Sequence, residues 1–160
     1  MAKIRPYAAT GILAILVGLL FWYSFLRVEE PPQIIASSSS DMREAIHLNA
    51  EQGDFALRQM RGLLVTLAEI DEAEFADNLA AAAEMAATQE PGKGPPNPAG
   101  FQAALPDPFR ALSRQMREDF RRASQAAEAG NLEEYAAAKR SINNACISCH
   151  ESYRFDVADK

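Results

Sequence analysis

The sequence predicts an all-α protein: an antiparallel up-down-up-down four-helix bundle preceded by a single transmembrane helix. Three observations predict it. Residues 8–26 form an uncharged apolar run, the rest of the chain carries four stripes of apolar residues spaced by three and four, and no stretch alternates with period two over a useful length. The 160 residues suit one ordinary domain and an appendage, and a hydrophobic content of 48% is enough for a core. With 22 acidic against 16 basic residues the net charge is −6, which argues against nucleic acid as a partner. Two cysteines are too few for a disulfide-framework miniprotein.

The first element is the run AATGILAILVGLLFWYSFL from Ala8 to Leu26, 19 residues without a charge. As a helix rising about 1.5 Å per residue it spans roughly 28 Å, close to the hydrocarbon thickness of a bilayer. Trp22 and Tyr23 stand near its outer end, where amphipathic rings favour the headgroups. Lys3 and Arg5 precede it, so the positive-inside rule puts the N-terminus in the cytoplasm. A cleavable signal peptide needs a shorter apolar core and an A-x-A-like site, and Arg27-Val28-Glu29-Glu30-Pro31-Pro32 is a poor one. The expected organisation is therefore a signal-anchor over 1–28, a flexible Pro/Ser tether over 29–40, and a helical domain over 41–160. That domain is expected on the periplasmic side of the inner membrane.

In the domain, Met42, Ile46, Asn49, Gly53, Ala56, Met60, Leu63, Leu67 and Ile70 alternate in spacing between four and three, which predicts one long first helix. Its Asn49-Gly53-Ala56 section is small where a plain bundle wants leucine. Asp71 with Glu74 has the form of a capping box and predicts a second helix over roughly 72–88. A Pro- and Gly-rich connection follows, from Gln89 to Leu105. Asp107 and Pro108 are a cap and an N1 proline for a third helix ending at Gly130. Asn131 with Glu134 caps the fourth, which carries Tyr135, Ile142, Cys146, Cys149 and Tyr153. Short, long and short connections predict an up-down-up-down order, with the end of the fourth helix facing residues 42–56 of the first. Alanine runs at Ala80–Ala83 and Ala136–Ala138 permit close helix approach, in packing or in a homodimer.

The chemical centre is Cys146-Ile147-Ser148-Cys149-His150. Two thiols three residues apart can add to the two vinyl groups of one haem edge, and the adjacent histidine then reaches the iron. Three other readings stand beside it. A zinc site wants four ligands, and the one further histidine is His47. A thioredoxin-like redox pair wants a βαβ setting, and any five-residue pattern can arise by chance. Cys146 to Arg154, CISCHESYR, resembles the C-terminal signature of the cytochrome c′ family, including its low-spin relatives. The likeness covers about residues 40–155, and the added anchor lies outside it. The resemblance implies one covalently bound haem c held by Cys146 and Cys149, with His150 as the proximal iron ligand. It also implies Arg154 as a propionate or surface partner.

The same resemblance places a distal residue on the first helix: methionine gives a six-coordinate electron carrier, an apolar residue a five-coordinate, gas-binding iron. The side chains expected at that height run from His47 to Gln52, with Met42 and Met60 outside the window. His47 is one candidate for the second iron ligand. The alternatives are a partly exposed His47 near a propionate, and an open or Leu48-blocked distal side. Arg110, Arg114, Arg117 and Arg121 form a basic row on the third helix, either a docking face for an acidic redox partner or a solvated surface. No residue constellation indicates catalytic turnover, so no enzyme is expected. The expected function is electron transfer by a membrane-anchored mono-haem c-type cytochrome, with redox proteins as partners. The alternatives are a five-coordinate protein binding NO or CO, and an accessory haem subunit of a respiratory or photosynthetic complex.

Overall fold

The computed structural model describes residues 41–158, together with Trp22. Residues 41–160 form a compact unit of their own. The elements in chain order are β1 (Glu44–Leu48), α1 (Ala50–Phe75), α2 (Leu79–Ala87), α3 (Phe101–Ala104), α4 (Asp107–Glu128), α5 (Leu132–Ser152) and β2 (Tyr153–Val157).

The expected fold class is corrected on two counts. The transmembrane helix expected over residues 8–26 falls outside the described residues, and among the described residues no helix is long and apolar enough to cross a membrane. Even the longest, α1 with 26 residues, carries acids and arginines along its length. Second, the domain is not all-α: β1 and β2 form a parallel pair, with Glu44 opposite Tyr153 and Leu48 opposite Val157.

The first helix starts at Ala50, eight residues later than Met42, and the reason is local. Asn49 is extended, with φ −75° and ψ 170°; its side chain accepts from the Gln52 amide at 2.9 Å, and Gln52 Oε1 accepts from the Asn49 amide at 3.1 Å. That capping box stops the helix from running back into Glu44–Leu48. Upstream of it the chain follows period two instead, with Ile46 and Leu48 buried and His47 between them facing out. The boundary expected at Asp71 also moves. α1 continues to Phe75, and the chain then turns at Asp77, a non-glycine residue with φ 51°, where left-handed backbone suits aspartate better than most side chains. Asn78 caps α2 by accepting from the Ala81 amide. Asp71 and Glu74 instead both receive the Lys139 ammonium at 2.6 Å. The fourth expected helix starts as predicted, with Asn131 accepting from the Glu134 amide at α5, whereas α4 starts one residue earlier than predicted: Pro106 is its N-cap without a side-chain cap bond, and Asp107 is already in the first turn.

α1 packs on α2, α2 on α4 and α4 on α5. Ala82, Ala83, Ala123 and Ala138 are buried in this core around Phe120 and Ile142, so both alanine runs contribute to packing within the chain. α1 and α5 are joined chiefly at their ends. At one end Tyr135 donates to Glu74 at 2.6 Å beside the Lys139 pairs; at the other stand β1 and β2. Above the strands lies a second core of Ile46, Leu48, Phe55, Phe101 and Leu105. Between the two ends the helices diverge.

Candidate functional site

The divergence of α1 and α5 leaves a cavity of about 630 Å³, within the range of sites that take a large organic group. One wall is the last part of α5: Ala145, Cys146, Cys149 and His150. Spacings of three and four residues bring both thiols and the imidazole to one face of the helix, while Ile147 between them is 54% exposed. The α1 wall is Phe55, Ala56, Gln59, Met60 and Leu63, and α4 adds Phe109, Leu112, Met116 and Arg117. The loop from Pro91 to Asn97 borders it as well.

Aromatic contacts build the end nearest the strands. Phe55 meets Phe101 edge-on at 5.0 Å, and Phe109 meets Tyr153 at 5.4 Å and Phe155 at 6.0 Å. Large rings at this corner keep α1 from closing onto α5. Edge-on geometry suits their quadrupoles and fixes their positions.

Both cysteines are free and half-buried, and burial pushes both thiols up from their ordinary pKa. Half-burial disfavours their thiolate forms, the opposite of the environment that lowers the thiols of redox-active pairs. Among the described residues no group of three or more His, Cys, Asp and Glu side chains is arranged to hold a bare metal ion.

The charged residues at the cavity are predominantly basic. Lys93, Arg110, Arg114 and Arg117 line it against Glu118 alone. Arg110 is committed to the Gln102 and Leu105 carbonyls and to Asp107, and Glu118 to Arg121 at 2.7 Å. Arg117 donates to the backbone oxygen and Oε1 of Gln89, at 3.2 and 2.9 Å; burial draws its pKa down from the ordinary arginine value. Of the basic row, Arg121 alone stands off the cavity.

Thus Cys146, Cys149 and His150 share one wall, whereas two other candidates lie elsewhere. His47 is on β1, its side chain 78% exposed and its Nδ1 3.4 Å from the Asp156 carboxylate. Strand alternation, which buries its neighbours, turns it away from the cavity. Arg154 is on β2, its Nε buried without a hydrogen bond and 3.9 Å from Asp41. The residue missed from sequence is Met60. Helical numbering from Met42 placed it several turns beyond the site; the later start at Ala50 brings residues 55–63 level with the cysteines. The Asn49-x-x-Gln52 capping box was the available signal.

A more open groove over Glu74, Leu132, Tyr135 and Lys139 contains no thiol or imidazole, and Tyr135 and Lys139 there are bonded to Glu74. No family model matches this chain, and neither a curated protein nor a solved structure matches it.

Proposed function

We propose that this chain is a mono-haem c-type cytochrome of the cytochrome c′ kind that transfers electrons outside the cytoplasm. In that role Cys146 and Cys149 carry the haem as thioethers and His150 is its proximal ligand. One observation supports the proposal above the others: two half-buried thiols and an imidazole share one wall of a cavity left between two helices. Such a site suits a large, mostly apolar group with two positions that accept sulfur. Haem fits each requirement, and when bound it supplies one-electron exchange at iron.

The remaining tasks belong to the chain's own residues. Phe55, Leu63 and Met116 give the cavity apolar walls that exclude water. On α1, Met60 offers a thioether sulfur from outside α5, and thioether ligation raises the potential of haem iron relative to nitrogen ligation. Lys93 and Arg114, both exposed at the mouth, favour approach of an acidic redox partner, an attraction that salt screens.

Mass spectrometry of the mature full chain, produced in a host that matures c-type cytochromes, tests the attachment. The expected result is the mass of one added haem, lost in Cys146→Ser/Cys149→Ser. Two free thiols in the mature protein would falsify the proposal. An absorption spectrum then tests Met60. Sharp α and β bands in the reduced protein, unchanged by carbon monoxide, are expected. Met60→Leu should broaden them and open the iron to carbon monoxide. A wild-type spectrum already broad and shifted by carbon monoxide assigns the gas-binding role instead.

A further inference from the structure

The two ends of the cavity differ in chemistry. One is the aromatic corner of Phe55, Phe101, Phe109 and Tyr153. Arg117 stands eight residues beyond Phe109, about 12 Å further along α4. There its Nη1 donates to Gln89, and Gln89 Nε2 donates in turn to the hydroxyl of buried Thr66 at 2.9 Å. Thr66 lies three residues past Leu63, so this chain of bonds joins α4 to α1 where the apolar wall ends.

Of the arginines and the lysine that line the cavity, Arg117 alone is both half-buried and without a carboxylate among the described residues. Lys93 and Arg114 are exposed, and Arg110 has Asp107. The two acids that follow Arg117 in sequence are taken: Glu118 pairs with Arg121, and Asp119 with Arg122, each at 2.7 Å. Partial burial of a cation is costly when no anion offsets it, and here burial already works against the charged form. The side chain is also held in place. Both of its bonds to Gln89 leave from Nη1, which leaves the Nε and Nη2 hydrogens without another acceptor among the described residues. A guanidinium fixed by one nitrogen presents the other two as a planar fork, the geometry that matches a carboxylate.

We propose that Arg117 binds a carboxylate of the group held in the cavity, which on the haem reading is one of the two propionates. The inference rests on that reading and adds the residue that orients the cofactor's acidic edge. Haem carries its vinyl groups on one edge and its carboxylates on the opposite one, so the acid-binding side chain belongs on a different element from the thiols. Arg117 on α4 meets that condition. Arg154, to which the resemblance gives the role, is instead on β2 beside Asp41, away from the cavity-lining residues.

Resonance Raman spectra of the matured full chain test this through the bending band of the propionates, which responds to their hydrogen bonds. Mass spectrometry of each sample first establishes that haem is attached; a wild type without it overturns the haem reading and this inference together. With haem attached, the band should shift in Arg117→Met and, by a smaller amount, in Arg117→Lys, which keeps the charge without the fork. Should Arg117→Met fail to mature, Arg117→Lys carries the comparison. The band should stay in place in Arg121→Met, which removes an equal charge from α4 off the cavity. It should also stay in Gln89→Leu, which loosens the loop and spares the guanidinium. A band unmoved in the Arg117 variants, or moved as far by Gln89→Leu, overturns the inference and leaves haem attachment standing. Calorimetric titration with inorganic phosphate separates the other source of the same chemistry. Phosphate binding that is lost in Arg117→Met while the band stays in place assigns the guanidinium to a free anion, and overturns the inference equally.

Discussion

α5 has two neighbours and treats them differently. Toward α4 it presents Ala138, Ile142 and Ala145, which close with Phe120, Ala123 and Ala127 into a continuous core. Toward α1 it presents two cysteines and a histidine across open space. Even the polar groups follow the division. Asp119, completely buried, accepts from Ser141 and Arg122 at 2.7 Å each, and Arg122 bridges on to Glu134 at 2.6 Å, so the α4 seam is bonded as well as packed. On the α1 side the bonds are confined to the two ends. Small side chains let helices approach until nothing fits between them; aromatic corners and end clasps hold them apart. One helix can therefore serve as wall of a core and wall of a site, provided the first seam supplies most of the stability.

That division predicts unequal costs. Phe120 is fully buried in the filled seam, and Phe120→Ala should destabilise the chain by about 3–5 kcal/mol in urea unfolding. Leu63 already borders empty space, so Leu63→Ala in the haem-free chain should fall below the ~2–5 kcal/mol usual for a buried leucine. Equal losses at the two positions would erase the distinction between the seams.

The clasp at the open end gives a smaller effect. A Cβ at Gly53 would come within 2.7 and 2.8 Å of the Val157 methyls, so the start of α1 and the end of β2 touch through the missing side chain. Valine is stiff at χ1 and cannot simply swing aside. Gly53→Ala should cost about 1–3 kcal/mol, within the range for overpacking. Val157→Ala in the same chain should recover most of it, and a double-mutant cycle measures the recovery. Additive losses would show that the contact does not hold β2.

The two seams were not equally legible in the sequence. The filled one was: the Asn131 cap, the start of α4 to within a residue, and Tyr135 and Ile142 on the α5 stripe follow from period and capping. So did the shared face of Cys146, Cys149 and His150, which needs only helical spacing. The open seam was not, because its geometry rests on β1 and β2, five residues each and far apart in sequence. Ile46 fits a helix stripe through Met42 and a strand through Leu48 equally well, and a five-residue strand becomes stable only by pairing with its distant partner. One misplaced helix start then moved Met60 out of the site and His47 into it.

The smallest expected effect concerns pH, and it separates the two ends of α5. Bonded to the Arg43 guanidinium, which donates to both its oxygens, Asp41 has its carboxyl held down at about 2. Arg43 Nη1 also donates to the His150 carbonyl at 3.3 Å, so this pair reaches the last turn of α5 beside the site. A depressed folded-state pKa contributes stability that is present above the unfolded carboxyl's value, and is lost as pH falls through the folded one. Between pH ~4 and ~2 the Arg43 tie to His150 should therefore loosen. Asp41 is fully exposed, so the change is local and small. It should appear in hydrogen exchange or NMR shifts of residues 150–152, and Asp41→Asn should abolish it without altering residues 132–142. Identical acid responses along the whole of α5 would mean that its two ends are not held independently.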